Sequence, residues 1–99
     1  MAGISYKMHR HEKELILAAC DEEILGQTFR EGGMHITVNE KFYGGDLMAE
    51  EEFADRLRAV TIINLVGNRV VDLAIAAGIV DPEAVFVIGG VKHAQAVTL

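Results

Sequence analysis

Leu15-Ile16-Leu17-Ala18-Ala19-Cys20 is an uninterrupted apolar run. A strand apolar on both faces belongs inside a sheet, covered above and below, so this run predicts an internal strand. On its N-terminal side, Ile4-Ser5-Tyr6-Lys7-Met8 places an apolar residue at every second position. That is the period of a strand with one buried face, here carrying Ile4, Tyr6 and Met8. His9-Arg10-His11-Glu12 joins the two, and together they read as a hairpin. On the other side, Asp21-Glu22-Glu23-Ile24-Leu25-Gly26 reads as a short helical turn, capped by Asp21 and ended by Gly26.

Further along, Gly32-Gly33 precedes a third alternating run, Met34-His35-Ile36-Thr37-Val38, expected to turn Met34, Ile36 and Val38 inward and His35 outward. After the turn at Tyr43-Gly44-Gly45-Asp46 the period changes to that of a helix from about Met48. Leu47, Phe53, Leu57 and Val60 fall on one stripe, and Glu50, Glu51 and Glu52 crowd the first turn, where the helix dipole favours acids. The β-branched run Val60-Thr61-Ile62-Ile63 breaks that helix. A second helix is expected over 64–77, with Ile63, Val66, Val70, Leu73 and Ala77 as its core stripe and Gly78-Ile79 as a left-handed C-cap. Asp81-Pro82 makes a turn, 84–88 a short strand, and Gly89-Gly90 a two-residue hairpin loop into a last strand over 91–98. Strands gathered at both ends with helices between predict an α+β domain. Its mainly antiparallel sheet is built from the N- and C-terminal hairpins plus a middle strand, and two helices pack on one face.

Ninety-nine residues, 51% of them hydrophobic, fit one globular domain and exclude a disordered chain. The longest apolar stretch, 73–80, is far short of the ~18 residues a membrane span needs. The N-terminus, with Lys7, His9 and Arg10 in an alternating pattern, is not a signal peptide, and a cytoplasmic location is expected. A single cysteine, Cys20, forms no intrachain disulfide and suits a reducing compartment. The net charge of −6 is the wrong sign for broad contact with a phosphate backbone. It is uneven: residues 1–20 sum to +1, residues 21–60 to −6 and residues 61–99 to −1, which leaves open a local RNA contact through the first hairpin.

Candidate chemistry is sparse. Three Gly-Gly pairs match neither phosphate-loop frame, so turns account for them, with Gly44-Gly45 the best anion-binding exception. His9 and His11 share a face but lack a matching partner pair for a metal, and no metal or cofactor is expected. Cys20 has no basic sequence neighbour to activate it. Asn64, Asn68 and Asp72 recur every fourth residue, with Arg69 beside them and Gly67 allowing close approach. These form a polar ridge able to read a carboxylate, phosphate or base. In the last strand, Val91, His93, Gln95 and Val97 make a face of mixed character.

Several of these stretches together resemble one family. Cys20-Asp21-Glu22-Glu23-Ile24-Leu25-Gly26, Thr28-Phe29-Arg30-Glu31-Gly32, Phe42-Tyr43-Gly44-Gly45, Asn64-Leu65-Val66-Gly67 and Ile88-Gly89-Gly90-Val91-Lys92-His93-Ala94-Gln95 resemble the small archaeal family known as domain of unknown function 424. The resemblance spans nearly the whole chain. The family often has Pro before the His of the last motif, where this chain has Lys92. What the resemblance implies is an archaeal cytoplasmic protein of about one domain with no assigned activity.

The motifs fall at predicted turns and element ends. If those ends converge, Arg30, Tyr43, Asn64, Asn68, Arg69, His93 and Gln95 form a polar pocket floored by Gly44, Gly45 and Gly89. With no convincing nucleophile or paired carboxylates, this constellation reads as a binding module for an anionic or nucleotide-like group, alone or within RNA or a ribonucleoprotein. Two alternatives stand beside it. One is an interaction subunit whose acidic helix docks on a basic protein and whose last strand offers an edge for pairing. The other is an enzyme using His93 as acid or base beside Tyr43 or Cys20. A homo-oligomer stays open.

Overall fold

A computed structural model describes residues 3–98. The 15–20 run lies inside β2 (Glu14–Asp21), where Leu17, Ala18, Ala19 and Cys20 are wholly buried. It pairs antiparallel along its full length with β1 (Ile4–His11), as the alternation predicts. The chain then forms a hairpin from β3 (Thr28–Glu31) and β4 (Met34–Thr37), a short helix α1 (Glu40–Tyr43), and an edge strand β5 (Asp46–Met48). After α2 (Glu50–Arg58) come β6 (Ile62–Val66) and α3 (Asn68–Ala76), then the terminal hairpin of β7 (Phe86–Ile88) and β8 (Val91–Val97). The main sheet has the order β5-β1-β2-β6-β8-β7, and all its pairings are antiparallel except β2 with β6. The α+β class with a mostly antiparallel sheet is therefore as the sequence predicts.

Several local expectations are corrected. The helix expected over 64–77 begins only at Asn68, and 62–66 is a strand. Ile63 and Val66 fit a helical stripe by spacing, yet in the strand they face opposite sides. Ile63 and Leu65 enter the core under the long helices, while Val66 joins Ala18 and Cys20 on the other face. The β-branched run that breaks the first long helix therefore continues as strand, because β2 has a second edge to pair. The far end of α3 is as expected. Gly78 has φ +76°, its N–H donates to the Ile75 carbonyl, and Ile79 N–H donates to the Ala74 carbonyl, a Schellman cap.

The run 34–38 does not enter the main sheet but pairs with β3, which the sequence reading missed, in a separate ribbon. Met34 is consequently 54% exposed rather than inward. Leu47, expected on a helix stripe, lies on the edge strand β5 and is also exposed. Asp21 does not cap the turn that follows it. That turn is a 3-10 segment over Glu22–Ile24 without a side-chain cap, and Asp21 serves a helix far along the chain instead.

The two faces of the sheet have different cover. On one, α2 and α3 pack Phe53, Leu57, Val70, Val71 and Ala74 against Ile4, Leu17, Ala19, Ile63, Leu65 and Ala94. On the other, Tyr43 of α1 and Val38 pack on Ala18, Cys20 and Val66, with Phe29, Ile36 and Val91 against them. That second cover is partial: His93 is half-buried, and Gln95 and Phe86 are exposed.

Candidate functional site

The partly covered face is set out by strand register. Ser5 opposes Cys20, Cys20 opposes Val66, Val66 opposes His93 and His93 opposes Phe86, one row across five strands. The next row contains Ala18, Asn64 and Gln95. Directly opposed residues project to the same side, so Asn64, His93, Gln95 and Phe86 share this face.

At its centre is a hydrogen-bonded trio. The Tyr43 hydroxyl donates to Asn64 Oδ1 at 2.5 Å, and His93 Nε2 lies 3.3 Å from the same oxygen. Because Oδ1 only accepts, His93 carries its proton on Nε2. Burial pushes the His93 pKa below its ordinary 6.5, so the ring is neutral at pH 7 and Nδ1 presents a lone pair. Tyr43 is held from behind, since the Ser5 hydroxyl donates to its carbonyl at 2.9 Å. Burial pushes the Tyr43 phenol up to about 12, which keeps it protonated and donating.

The opposite side of this trio is unsatisfied. Neither Asn64 Nδ2 nor His93 Nδ1 has a protein partner among the described residues, and no buried side-chain polar atom there lacks one. Both atoms therefore reach solvent. The face presents a donor on Asn64 and, on the side of the His93 ring turned away from Asn64, an acceptor, with the exposed Gln95 amide across from Asn64.

Cys20 lies in the same row as His93 but is buried, and desolvation raises its thiol to about 12. It is no nucleophile at neutral pH. His9 is engaged through Nε2 with the Phe42 carbonyl at 2.9 Å and stacks on the Phe42 ring at 4.6 Å. No group of three His, Cys, Asp or Glu gathers at metal-binding distance among the described residues.

The structure thus brings together Tyr43, Asn64, His93 and Gln95, and places the other expected residues elsewhere. Asn68 stands at the start of α3, where its Nδ2 donates to the Gly90 carbonyl and its Oδ1 accepts from Lys92 N–H at 3.0 Å. Proline at position 92 has no N–H to make the second bond. Arg69 turns toward α2 and pairs with Glu50 at 3.0 Å. Arg30 is exposed on β3, on the side of the ribbon opposite Phe29, which packs inward. Gly44 and Gly45 form the turn from α1 to β5, and a Cβ at Gly44 would lie 2.6 Å from the Glu40 carbonyl oxygen. Gly89 sits against the β3 backbone, where a Cβ would meet Arg30 O at 2.9 Å, and its N–H donates to Glu31. These glycines allow close packing and form no common floor.

Three contributors escaped the sequence reading. Ser5 holds Tyr43, Phe86 flanks His93, and Asp21 organises α3 by accepting from Arg69 N–H at 3.0 Å and Val70 N–H at 2.9 Å. Burial raises the Asp21 pKa, and the two backbone bonds oppose that rise. Gly67 is what admits the carboxylate, because a Cβ there would lie 2.6 Å from Asp21 Cγ. Only the Phe86 placement had a sequence signal: a two-residue loop at 89–90 sets 86 opposite 93.

Fold and site together define a small α+β protein with one sheet face covered by helices and the other presenting an amide-imidazole cluster. The chain belongs to the family described as protein of unknown function (DUF424), whose model matches residues 9–99. The crystal structure of an uncharacterized conserved protein from Methanopyrus kandleri has a similar fold. Its TM-score is 0.83 at 27% identity, over 99% of this chain and 93% of that one. No curated protein matches the chain. Among the described residues no helix is long and apolar enough to cross a membrane.

Proposed function

We propose that the protein is a cytoplasmic, archaeal-type binding module whose partly open sheet face takes a nucleotide-like group, free or within RNA. The observation that carries this reading is the unsatisfied pair of Asn64 Nδ2 and His93 Nδ1, held by Tyr43 and Ser5. A donor and an acceptor held on one rigid sheet face suit the polar groups of a heterocycle, and leaving them unmatched on binding is costly, which gives selectivity. The two cations expected at the pocket, Arg30 and Arg69, lie outside the cluster, so the uncharged end of such a ligand fits better than its phosphate. The net charge of −6 favours one nucleotide over a long phosphate track. The single buried cysteine and the Methanopyrus neighbour support the cellular setting.

Mass spectrometry of the protein isolated under native conditions from its own cells tests this. A nucleotide or RNA fragment at defined stoichiometry, lost in His93→Gln, supports the reading. Apoprotein that also fails to bind added nucleotides and RNA overturns it. A salt-sensitive protein partner retained by His93→Gln would instead favour docking through α2, whose Glu51, Glu52 and Asp55 are exposed.

A further inference from the structure

Phe86 is 65% exposed on the edge strand β7. Its strand neighbour Ile88, on the same face, is 8% exposed, so the burial of that side of the hairpin stops one position short of the phenylalanine. A lone exposed apolar side chain is common on protein surfaces. This one stands directly opposite His93, whose Nδ1 is accessible and unpartnered among the described residues, and His93 in turn contacts Asn64. From β7 through β8 to β6 is two strand spacings, about 10 Å. That distance lets a planar ring lie on the outer strand while its edge meets groups on the inner ones.

We infer that Phe86 is a stacking platform for a nucleobase, which lies on the phenyl ring with its hydrogen-bonding edge turned to His93 Nδ1. The inference rests on the nucleotide-like reading above and adds the part of the ligand that is recognised and the residue that holds its face. Aromatic stacking tolerates any base, because each has a π-face. The contact at His93 Nδ1 then selects rings that carry a donor on that edge, as amino-purines and lactam-type bases do. A phosphate or carboxylate alone offers no ring face.

The test uses the full chain and three probes: adenosine monophosphate, a mixed-sequence single-stranded RNA octamer, and inorganic phosphate. Nuclear magnetic resonance follows the Phe86 ring, the Asn64 side-chain amide and the His93 ring in wild type, Phe86→Leu and His93→Gln. The inference predicts upfield ring-current shifts of Phe86 and base protons, no response to phosphate, and binding weakened roughly fivefold or more in Phe86→Leu. Equal affinity for mononucleotide and octamer assigns a free nucleotide, and octamer binding tighter by tenfold or more assigns an unpaired nucleotide in RNA. Binding unchanged in Phe86→Leu but lost in His93→Gln overturns the platform and leaves the sheet-face reading standing. No response of Asn64 or His93 to either nucleotide probe overturns both. Phe86 is largely in solvent, so its replacement leaves the fold intact, which the unchanged amide spectrum of the free variant verifies.

Discussion

Replacing Gly67 by alanine should destabilise the protein through two separable effects. Gly67 has φ +129° and ψ 143°, a backbone region that residues with a Cβ avoid at about 1–3 kcal/mol. The added Cβ would also lie 2.6–2.8 Å from Cγ and both oxygens of Asp21. The carboxylate must then move, and Arg69 N–H and Val70 N–H lose their acceptors at the buried start of α3. Losing a capping side chain costs about 1 kcal/mol, up to about 2. Together the effects come to roughly 3 kcal/mol, which for a domain this size lowers Tm by about 12 °C or more. Gly78→Ala is the control. Its φ of +76° also disfavours a side chain, but nothing lies within 4 Å of the new Cβ, so about 1–2 kcal/mol is expected. Thermal and urea unfolding followed by circular dichroism measure both. In an Asp21→Ala background the clash is absent, and Gly67→Ala should there cost only the backbone part. A Gly67→Ala variant that melts with Gly78→Ala, or whose cost is unchanged without Asp21, refutes this account of how the end of β2 organises α3.

Three further outcomes are expected. Cys20, with its thiol raised to about 12, should resist a thiol reagent at pH 8 in the native protein and react on unfolding; rapid native labelling would contradict its burial. His93 has a folded pKa below its ordinary 6.5, so the unfolded chain binds its proton first, and stability should fall as pH drops below about 6.5 and level off beneath the folded pKa. The raised pKa of Asp21 acts oppositely, adding stability as pH falls from that pKa toward 3.8. His93→Gln should remove the first component from a pH series of urea melts and leave the second, and an unaltered profile would contradict the assignment. Asn68→Ala removes the bonds to Gly90 O and Lys92 N at a solvent-exposed position and should cost about 1 kcal/mol, with faster amide exchange at Lys92 as its specific signature.

What the sequence reveals about this fold divides along the range of the forces involved. The first hairpin, the Gly89-Gly90 turn and the Gly78 cap are written in neighbouring residues, and all are present in the structure. Both loop glycines have positive φ, +58° and +81°, as a type I′ turn requires. The strand β6 is different. Its apolar residues fit a helical stripe as well as an alternation, and what decides between them is pairing with β2 and β8, distant in sequence. The cap supplied by Asp21 to a helix 48 residues away is equally invisible locally. β3 does have a local signal, since Gly32-Gly33 between two short runs is itself a hairpin pattern.

The candidate site was legible to the same degree. His93 and Gln95 stand out through strand alternation, and Tyr43 and Asn64 through motif position, while their meeting depends on α1 folding back over β2 and β6. Arg30, Asn68 and Arg69 looked equivalent in sequence, but strand side and helix start direct them elsewhere. Polar residue type marks what a site can be made from, and topology selects which of those residues meet.

The most direct measurement is the side-chain amide resonance of Asn64 during titration with adenosine monophosphate. Its Nδ2 hydrogens have no protein acceptor among the described residues, so saturating ligand should shift them and slow their exchange, with His93 Nδ1 shifting alongside. Resonances that stay fixed while the nucleotide binds elsewhere would contradict the claim that this sheet face is the binding site.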